Sequence, residues 1–163
     1  MPKEIERKFL LKNDSWRTAA VSRSLLRQAY ARFQGDAHRL LRIRLADDQA
    51  FLTLKGGGSG CSRSEFEYPI PRRDAGELLE TFCEAGQVEK YRYRVPVGRH
   101  VWEVDEFLGA NAGLVLAEIE LNAPEEPFEL PDWAGREVTG EIRFYNARLL
   151  EYPYRVWKEE ERK

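Results

Sequence analysis

Charged residues recur at every second position in seven short segments: Glu4-x-Glu6-x-Lys8, Arg42-x-Arg44, Thr53-x-Lys55, Arg63-x-Glu65-x-Glu67, Lys90-x-Arg92-x-Arg94, Glu103-x-Asp105 and Glu118-x-Glu120. The residues between them are mostly apolar or aromatic, as at Ile5, Ile43, Leu54, Phe66, Tyr91, Tyr93, Val104 and Ile119, with Arg7 and Ser64 the exceptions. Two is the strand period, because successive side chains of a strand point to opposite faces. An eighth segment, Gln28-Ala-Tyr30-Ala-Arg32-Phe33, alternates polar or aromatic residues with small ones and reads as one more strand.

An ordinary antiparallel sheet with its charged face in water would show the same period. The sorting of sign argues against it. Most same-face pairs are like-signed: Glu with Glu, Arg with Arg, Glu with Asp. Positions i and i+2 of a strand lie about 6.6 Å apart, so such a pair repels by roughly 2.5 kcal/mol at an effective dielectric of 20. In a confined site that cost calls for counter-charges, and the same face supplies both signs. Glu4, Glu6, Glu65, Glu67, Glu103, Asp105, Glu118 and Glu120 stand against Lys8, Arg42, Arg44, Lys55, Arg63, Lys90, Arg92 and Arg94.

About eight strands is the number at which a closed sheet leaves room inside for side chains or one small ligand. The pattern therefore predicts an α+β chain: an eight-stranded antiparallel closed β-barrel, or tunnel, with a charged interior and helices packed on its apolar outside. Three helices are expected. Asn13-Asp14-Ser15 offers caps for Trp16 to Val21, and Asp74 for Ala75 to Ala85, with Leu78, Leu79 and Phe82 on one face and Gly86 as a stop. The third runs near Ile142 to Leu150, with Phe144 and Leu150 inward and Pro153 ending it. The 163 residues suit one domain over 1–155, with the charge run 156–163 as a frayed, solvated tail.

Composition narrows the function. Charged residues make up 33% of the chain, against about 25% in typical domains. They nearly cancel, leaving a net charge of -2, which supplies no field for duplex nucleic acid and no polybasic membrane anchor. No apolar run approaches a spanning helix and the first residues lack a signal-peptide core, so a cytoplasmic protein is expected. Cys61 and Cys83 have no ligand-spaced companions and read as reduced thiols, and His38 and His100 as ordinary surface histidines. Gly56 to Gly60 lacks the Gly-Lys-Ser/Thr ending of a phosphate-binding loop and reads as a hairpin connection. Paired carboxylates are hard-oxygen ligands for Mg²⁺, Mn²⁺ or Ca²⁺, and clustered Arg and Lys suit phosphate oxygens. Together they point to a metal-polyphosphate site.

Glu4-Ile5-Glu6-Arg7-Lys8 resembles the ExExK signature of the CYTH superfamily, the triphosphate tunnel metalloenzymes. Gln28-x-Tyr30, Arg42-x-Arg44, Thr53-Leu54-Lys55, Ser62-Arg63-x-Glu65-x-Glu67, Glu89-Lys90-x-Arg92, Glu103-x-Asp105, Glu118-x-Glu120 and Glu137-Val-Thr139 with Arg143 and Asn146 follow in family order. The resemblance covers about residues 4–150. It implies an eight-stranded tunnel that hydrolyses a triphosphate with Mg²⁺ or Mn²⁺, most like compact bacterial inorganic triphosphatases, converting tripolyphosphate to pyrophosphate and phosphate. By it, Glu4, Glu6, Glu118 and Glu120 would be the principal metal ligands, with Asp105 and Glu67 or Glu65 at a second ion. Lys8, Arg42, Arg44, Lys55, Arg63, Lys90, Arg92 and Arg143 would grip phosphates. Lys8 and Tyr30 would orient the attacking water, with Lys90 the alternative. The partner would be a small-molecule triphosphate, and a homodimer is compatible with the pattern.

The same superfamily contains class IV adenylate cyclases, thiamine triphosphatases and RNA triphosphatases, and the fold does not choose among them. The chain lacks a His-Phe extension before ExExK that would resemble the cyclases, and Glu141 and Phe144 stand where the family pattern has Asp and Tyr. A nucleoside triphosphatase, a polyphosphate- or nucleotide-binding module without catalysis, and a plain scaffold with a solvated charged face are the other readings.

Overall fold

The computed structural model describes residues 3–59 and 61–163; the side chains of residues 36–38, 58 and 59 are outside that description. Among the described residues nine strands form: β1 (Lys3–Leu11), β2 (Ser22–Phe33), β3 (Asp36–Ala46), β4 (Gln49–Ser59), β5 (Ser62–Pro69), β6 (Val88–Val97), β7 (His100–Phe107), β8 (Val115–Glu120) and β9 (Ala134–Glu137). Three α-helices accompany them: α1 (Trp16–Ala19), α2 (Arg72–Thr81) and α3 (Asn146–Glu151). Each of the eight segments with period two lies in one of β1 to β8. No helix among the described residues is long and apolar enough to cross a membrane.

All pairings are antiparallel, in the order β5-β4-β3-β2-β6-β7-β8-β1, and β1 returns to β5 to close an eight-stranded barrel. β1 is the seam. β8 lies along one edge, with Glu6 opposite Glu120, Lys8 opposite Glu118 and Leu10 opposite Leu116. The other edge is shared: Lys3 to Ile5 pair with β5, and Phe9 and Leu11 with β9. β9 fits because Gly135 has no side chain there. A Cβ at Gly135 would sit 2.9 Å from the Leu10 carbonyl oxygen, below any tolerated backbone contact.

The barrel has the polarity that the alternation predicts. Charged positions face the bore, while Ile5, Val104, Ala117 and Ile119 face outward and are buried under Trp16 of α1 and the segment carrying Phe128 and Trp133. α2 covers β3 and β4, packing Ala75, Leu78 and Leu79 on Ile43 and its neighbours. A third cluster joins Val88, Phe107, Leu114 and Leu116 of the wall to Phe144, Leu149 and Trp157. Burial of large apolar side chains on the outside, each worth about 1.5 to 3 kcal/mol, thus holds a barrel whose inside cannot contribute such a term.

Several details differ from the sequence reading. α2 starts three residues early, capped at Pro71, so Asp74 lies in its first turn, and Phe82 beyond its end is 65% exposed. The third helix is split into a 3₁₀ turn at Ile142–Phe144 and α3, and Leu149 rather than Leu150 is fully buried. The last residues are not a frayed tail. Trp157 is 4% exposed, packs on Phe144, Tyr152 and Tyr154, and donates its indole N–H to the Tyr152 carbonyl at 3.0 Å. His100 is tucked in, its Nε2 2.8 Å from Glu126, while the side chain of His38 falls outside the described residues. Gly56 to Ser59 extend β4, and Gly60 lies outside the described residues. Cys61 and Cys83 are free thiols.

Candidate active site

The bore encloses a cavity of about 200 Å³. β1 contributes Glu4, Glu6 and Lys8, β3 contributes Arg42 and Arg44, and β5 contributes Arg63, Glu65 and Glu67. Tyr30, Lys55, Arg92 and Glu103 come from β2, β4, β6 and β7, Glu118 and Glu120 from β8, and Tyr145, Asn146 and Ala147 from the chain entering α3. Seven carboxylates and six cations therefore face one small space. Strand parity places them there, because each occupies the inward position of its strand.

Three predicted residues do not reach the wall of this cavity. Lys90 and Asp105 are both fully buried behind it: Lys90 Nζ donates to Asp105 Oδ2 at 2.6 Å and to Asn146 Oδ1 at 3.0 Å. Arg92 grips the same Asp105 with two bonds, at 2.7 and 2.8 Å, so that carboxylate already accepts three hydrogen bonds from two cations. Arg143 sits in the 3₁₀ turn, donates to Glu141 at 3.1 Å and lies over Phe144 and Trp157. Parity assigned the first two to the correct face but says nothing of depth.

Most bore charges are paired. Lys55 bridges Glu4 at 2.8 Å and Glu65 at 2.7 Å, Arg63 lies 3.3 Å from Glu4 and 3.4 Å from Glu6, and Arg42 reaches Glu67 at 3.1 Å. Lys8 and Arg92 each lie 3.2 Å from Glu118. Burial opposes charge on Glu118, yet Lys8 and Arg92 outweigh it and hold this carboxyl well below the usual range. Burial likewise works against charge on Lys8, but Glu118 and Glu6 prevail and its pKa rises. Lys8 is thus an ammonium at neutral pH.

Two groups in the bore carry charge against their surroundings. Arg44 has no carboxylate partner among the described residues; its Nε donates to Gln28 Oε1 at 2.8 Å. Burial, with Arg42 and Arg92 close by, pulls its pKa down to about 10. An anion beside it would offset that penalty. Conversely, Glu6 and Glu120 face each other across β1 and β8, and both carboxyls are raised, Glu6 by burial and Glu118, Glu120 by burial and Glu4. Carboxylates crowded into one confined space repel one another, so each addition to the group makes ionisation of the next harder. A cation placed among them would relieve that repulsion.

The donor set fits a hard divalent cation, since it is all carboxylate oxygen. Among the described residues no three carboxylate, histidine or cysteine groups converge as a ready-made metal cluster. Glu4 and Glu118 are drawn instead onto Lys55, Arg63, Lys8 and Arg92, so ion binding would re-pair them. Tyr30, buried and raised above the ordinary phenol range by burial, accepts a hydrogen bond from Gln28 Nε2 at 2.5 Å. Tyr145 lies beneath Lys8 and Arg63, with its ring 5.6 and 5.4 Å from their cationic centres. Sequence reasoning missed Gln28 and Tyr145 as site residues, although Gln28 shares strand and parity with Tyr30.

Comparison with known proteins gives the same picture. The CYTH domain pattern matches residues 2–148. An inorganic triphosphatase of Acetivibrio thermocellus is 46% identical over 159 residues, covering 98% of this chain and all of that protein. One from Nitrosomonas europaea is 36% identical over 150 residues, 90% of this chain and 95% of that one. The crystal structure of an inorganic triphosphatase superposes with a TM-score of 0.64 at 31% identity, over 92% of this chain and 95% of that one. A Pyrococcus horikoshii protein at 20% identity shares the fold, with a TM-score of 0.61 over 75% of this chain and 81% of its own.

Proposed function

The chain belongs to the CYTH domain family, and from that premise we propose that it is a triphosphatase that hydrolyses inorganic tripolyphosphate to pyrophosphate and phosphate with Mg²⁺ or Mn²⁺. The observation that carries this reading is the bore itself, where seven carboxylates and six cations line one small cavity, with Arg44 held by an amide oxygen and the Glu6 and Glu120 carboxyls raised by burial and by neighbouring carboxylates. Both relatives named above are inorganic triphosphatases.

Glu4, Glu6, Glu118 and Glu120 would hold the ion, with Glu65 and Glu67 beside them on β5. A bound divalent ion supplies Lewis-acid neutralisation of phosphoryl oxygens. The protein's own groups do the positioning. Arg42, Arg44, Lys55, Arg63 and Arg92 present donors to the phosphate chain from four strands, which fixes the terminal phosphorus for attack in line with the breaking P–O–P bridge. Lys8 stays charged, so it orients the water by donating to its oxygen, and the proton released on attack passes to a phosphoryl oxygen of the substrate. Tyr30, a neutral phenol, donates to an oxyanion. Lys90 and Asp105 support the wall, holding Arg92 and Asn146 in place.

With seven carboxylates against six cations, the bore carries no excess positive charge to receive a polyanion. This supports a requirement for added metal. The unpaired thiols of Cys61 and Cys83 suit a reducing, cytoplasmic setting. The test is phosphate release from tripolyphosphate with and without Mg²⁺ or Mn²⁺, beside ATP and thiamine triphosphate, with cyclic AMP followed in the ATP sample. Metal-dependent release strongest on tripolyphosphate is expected. Metal-dependent binding without release, or cyclic AMP as the product, would overturn the reading.

A further inference from the structure

Gln28 lies on β2, fully buried, and its side chain does not line the cavity. It nonetheless touches two residues that do. Its Oε1 accepts from Arg44 Nε at 2.8 Å, and its Nε2 donates to the Tyr30 hydroxyl oxygen at 2.5 Å. The orientation of the amide is chemically forced. A guanidinium has only hydrogens to offer, so the amide oxygen must face Arg44, and the NH₂ is left facing Tyr30.

The consequence passes along the chain of bonds. With one lone pair of the Tyr30 oxygen occupied by the amide N–H, the phenolic hydrogen cannot also point at Gln28. It points away from Gln28, and Tyr30 lines the bore. Arg44, pinned at Nε, keeps the N–H groups of its two terminal nitrogens for whatever enters. We propose that Gln28 is a positioning residue that commits Tyr30 and Arg44 together as donors to one oxyanion, and so tunes the bore for an unprotonated phosphoryl oxygen over a hydroxyl or protonated phosphate. A ligand atom carrying its own hydrogen would meet donors only. A bare oxygen satisfies all of them. This deepens the triphosphatase reading and rests on it.

Replacing the amide by an isosteric carboxylate reverses the arrangement. In Gln28→Glu the new carboxylate pairs with Arg44 and accepts from Tyr30, drawing the phenolic hydrogen away from the bore. The test is a double-mutant cycle on kcat/KM for tripolyphosphate, and on its dissociation constant by calorimetry, using Tyr30→Phe and Gln28→Glu. Tyr30→Phe alone is expected to lower kcat/KM about tenfold or more, the scale of one hydrogen bond to a charged group. In the Gln28→Glu background, Tyr30→Phe is expected to cost less than twofold, because its donor has already been turned aside. A merely structural role for Gln28 would leave the two losses multiplying, and that result would overturn the proposal.

Gln28→Met, which also removes the donor to Tyr30 but adds no charge, gives the same cycle if Gln28→Glu does not fold. There the hydroxyl is freed to rotate but nothing draws it aside, so the cost of Tyr30→Phe is expected to shrink about half as far on a logarithmic scale, and an undiminished cost would overturn the proposal. Unmutated enzyme that neither binds nor hydrolyses tripolyphosphate would instead overturn the functional reading, and this proposal with it. Multiplying losses in an active enzyme would sink the role of Gln28 alone.

Discussion

Arg44 presents a guanidinium to the bore with one amide oxygen on its Nε and, among the described residues, no carboxylate. A buried charge without a counter-charge costs stability, and the lowering of its pKa to about 10 has that origin. Arg44→Met is therefore expected to raise the melting temperature of ligand-free protein while weakening tripolyphosphate binding about 10- to 100-fold, the loss of one charge-assisted contact. Thermal scans and calorimetry on the same variant check both halves; a fall in both quantities would contradict the account. The period of two in the sequence exposes Arg44 as an inward residue, but not the lack of a partner. That depends on which carboxylates eight strands bring within reach of it. Lys90 and Asp105 show the same limit from the other side. They share parity with Arg92 and Glu103, yet only the packing of Asn146 and Phe107 over Lys90 shows that they lie behind the wall.

Eight of the nine strands among the described residues are legible because each alternates charged or polar side chains with apolar or small ones. β9 is not: Ala134-Gly-Arg-Glu137 has no such alternation, and it pairs because a glycine lets it approach β1. Loops that pack on the outside are equally silent in sequence. Glu126 is an example, accepting from the Asn122 backbone N–H at 2.5 Å and lying 2.8 Å from His100 Nε2, so that it ties the connection after β8 to the start of β7. Those bonds, the backbone N–H first, bring its carboxyl down to about 2. A carboxyl depressed in the fold contributes stability above its unfolded value near 4.5, and loses that contribution as pH falls toward 2. Glu126→Gln is accordingly expected to melt below the unmutated protein at pH 7, with the gap closing between about pH 4.5 and pH 2. A gap that widened on acidification would refute the assignment.

At the scale of the molecule, the barrel places its apolar side chains outside and its charges within, so the ligand completes the interior. Tripolyphosphate with Mg²⁺ at 100 times its dissociation constant should add about 2.7 kcal/mol, which for a chain of this length is a rise of roughly 5 to 10 °C in melting temperature. EDTA should abolish that rise along with turnover. A shift of equal size in the presence of EDTA would remove the metal from the binding step.

The seam at β1 also governs how the chain reaches this state. Its first three residues find β5 from Ser62 onward, but Glu6 to Leu10 wait for β8 at residues 115–120, and β9 comes later still. On a ribosome adding about 5 to 20 residues per second, the strand made first would stay without most of its partners for several seconds. Until then the sheet is open, with an unpaired edge and its carboxylates and guanidiniums in contact with water. The dependence on distant pairing predisposes the chain to slow folding. The dense charge along that edge disfavours strand-to-strand pairing with a second nascent copy, a natural guard against misassembly during that interval.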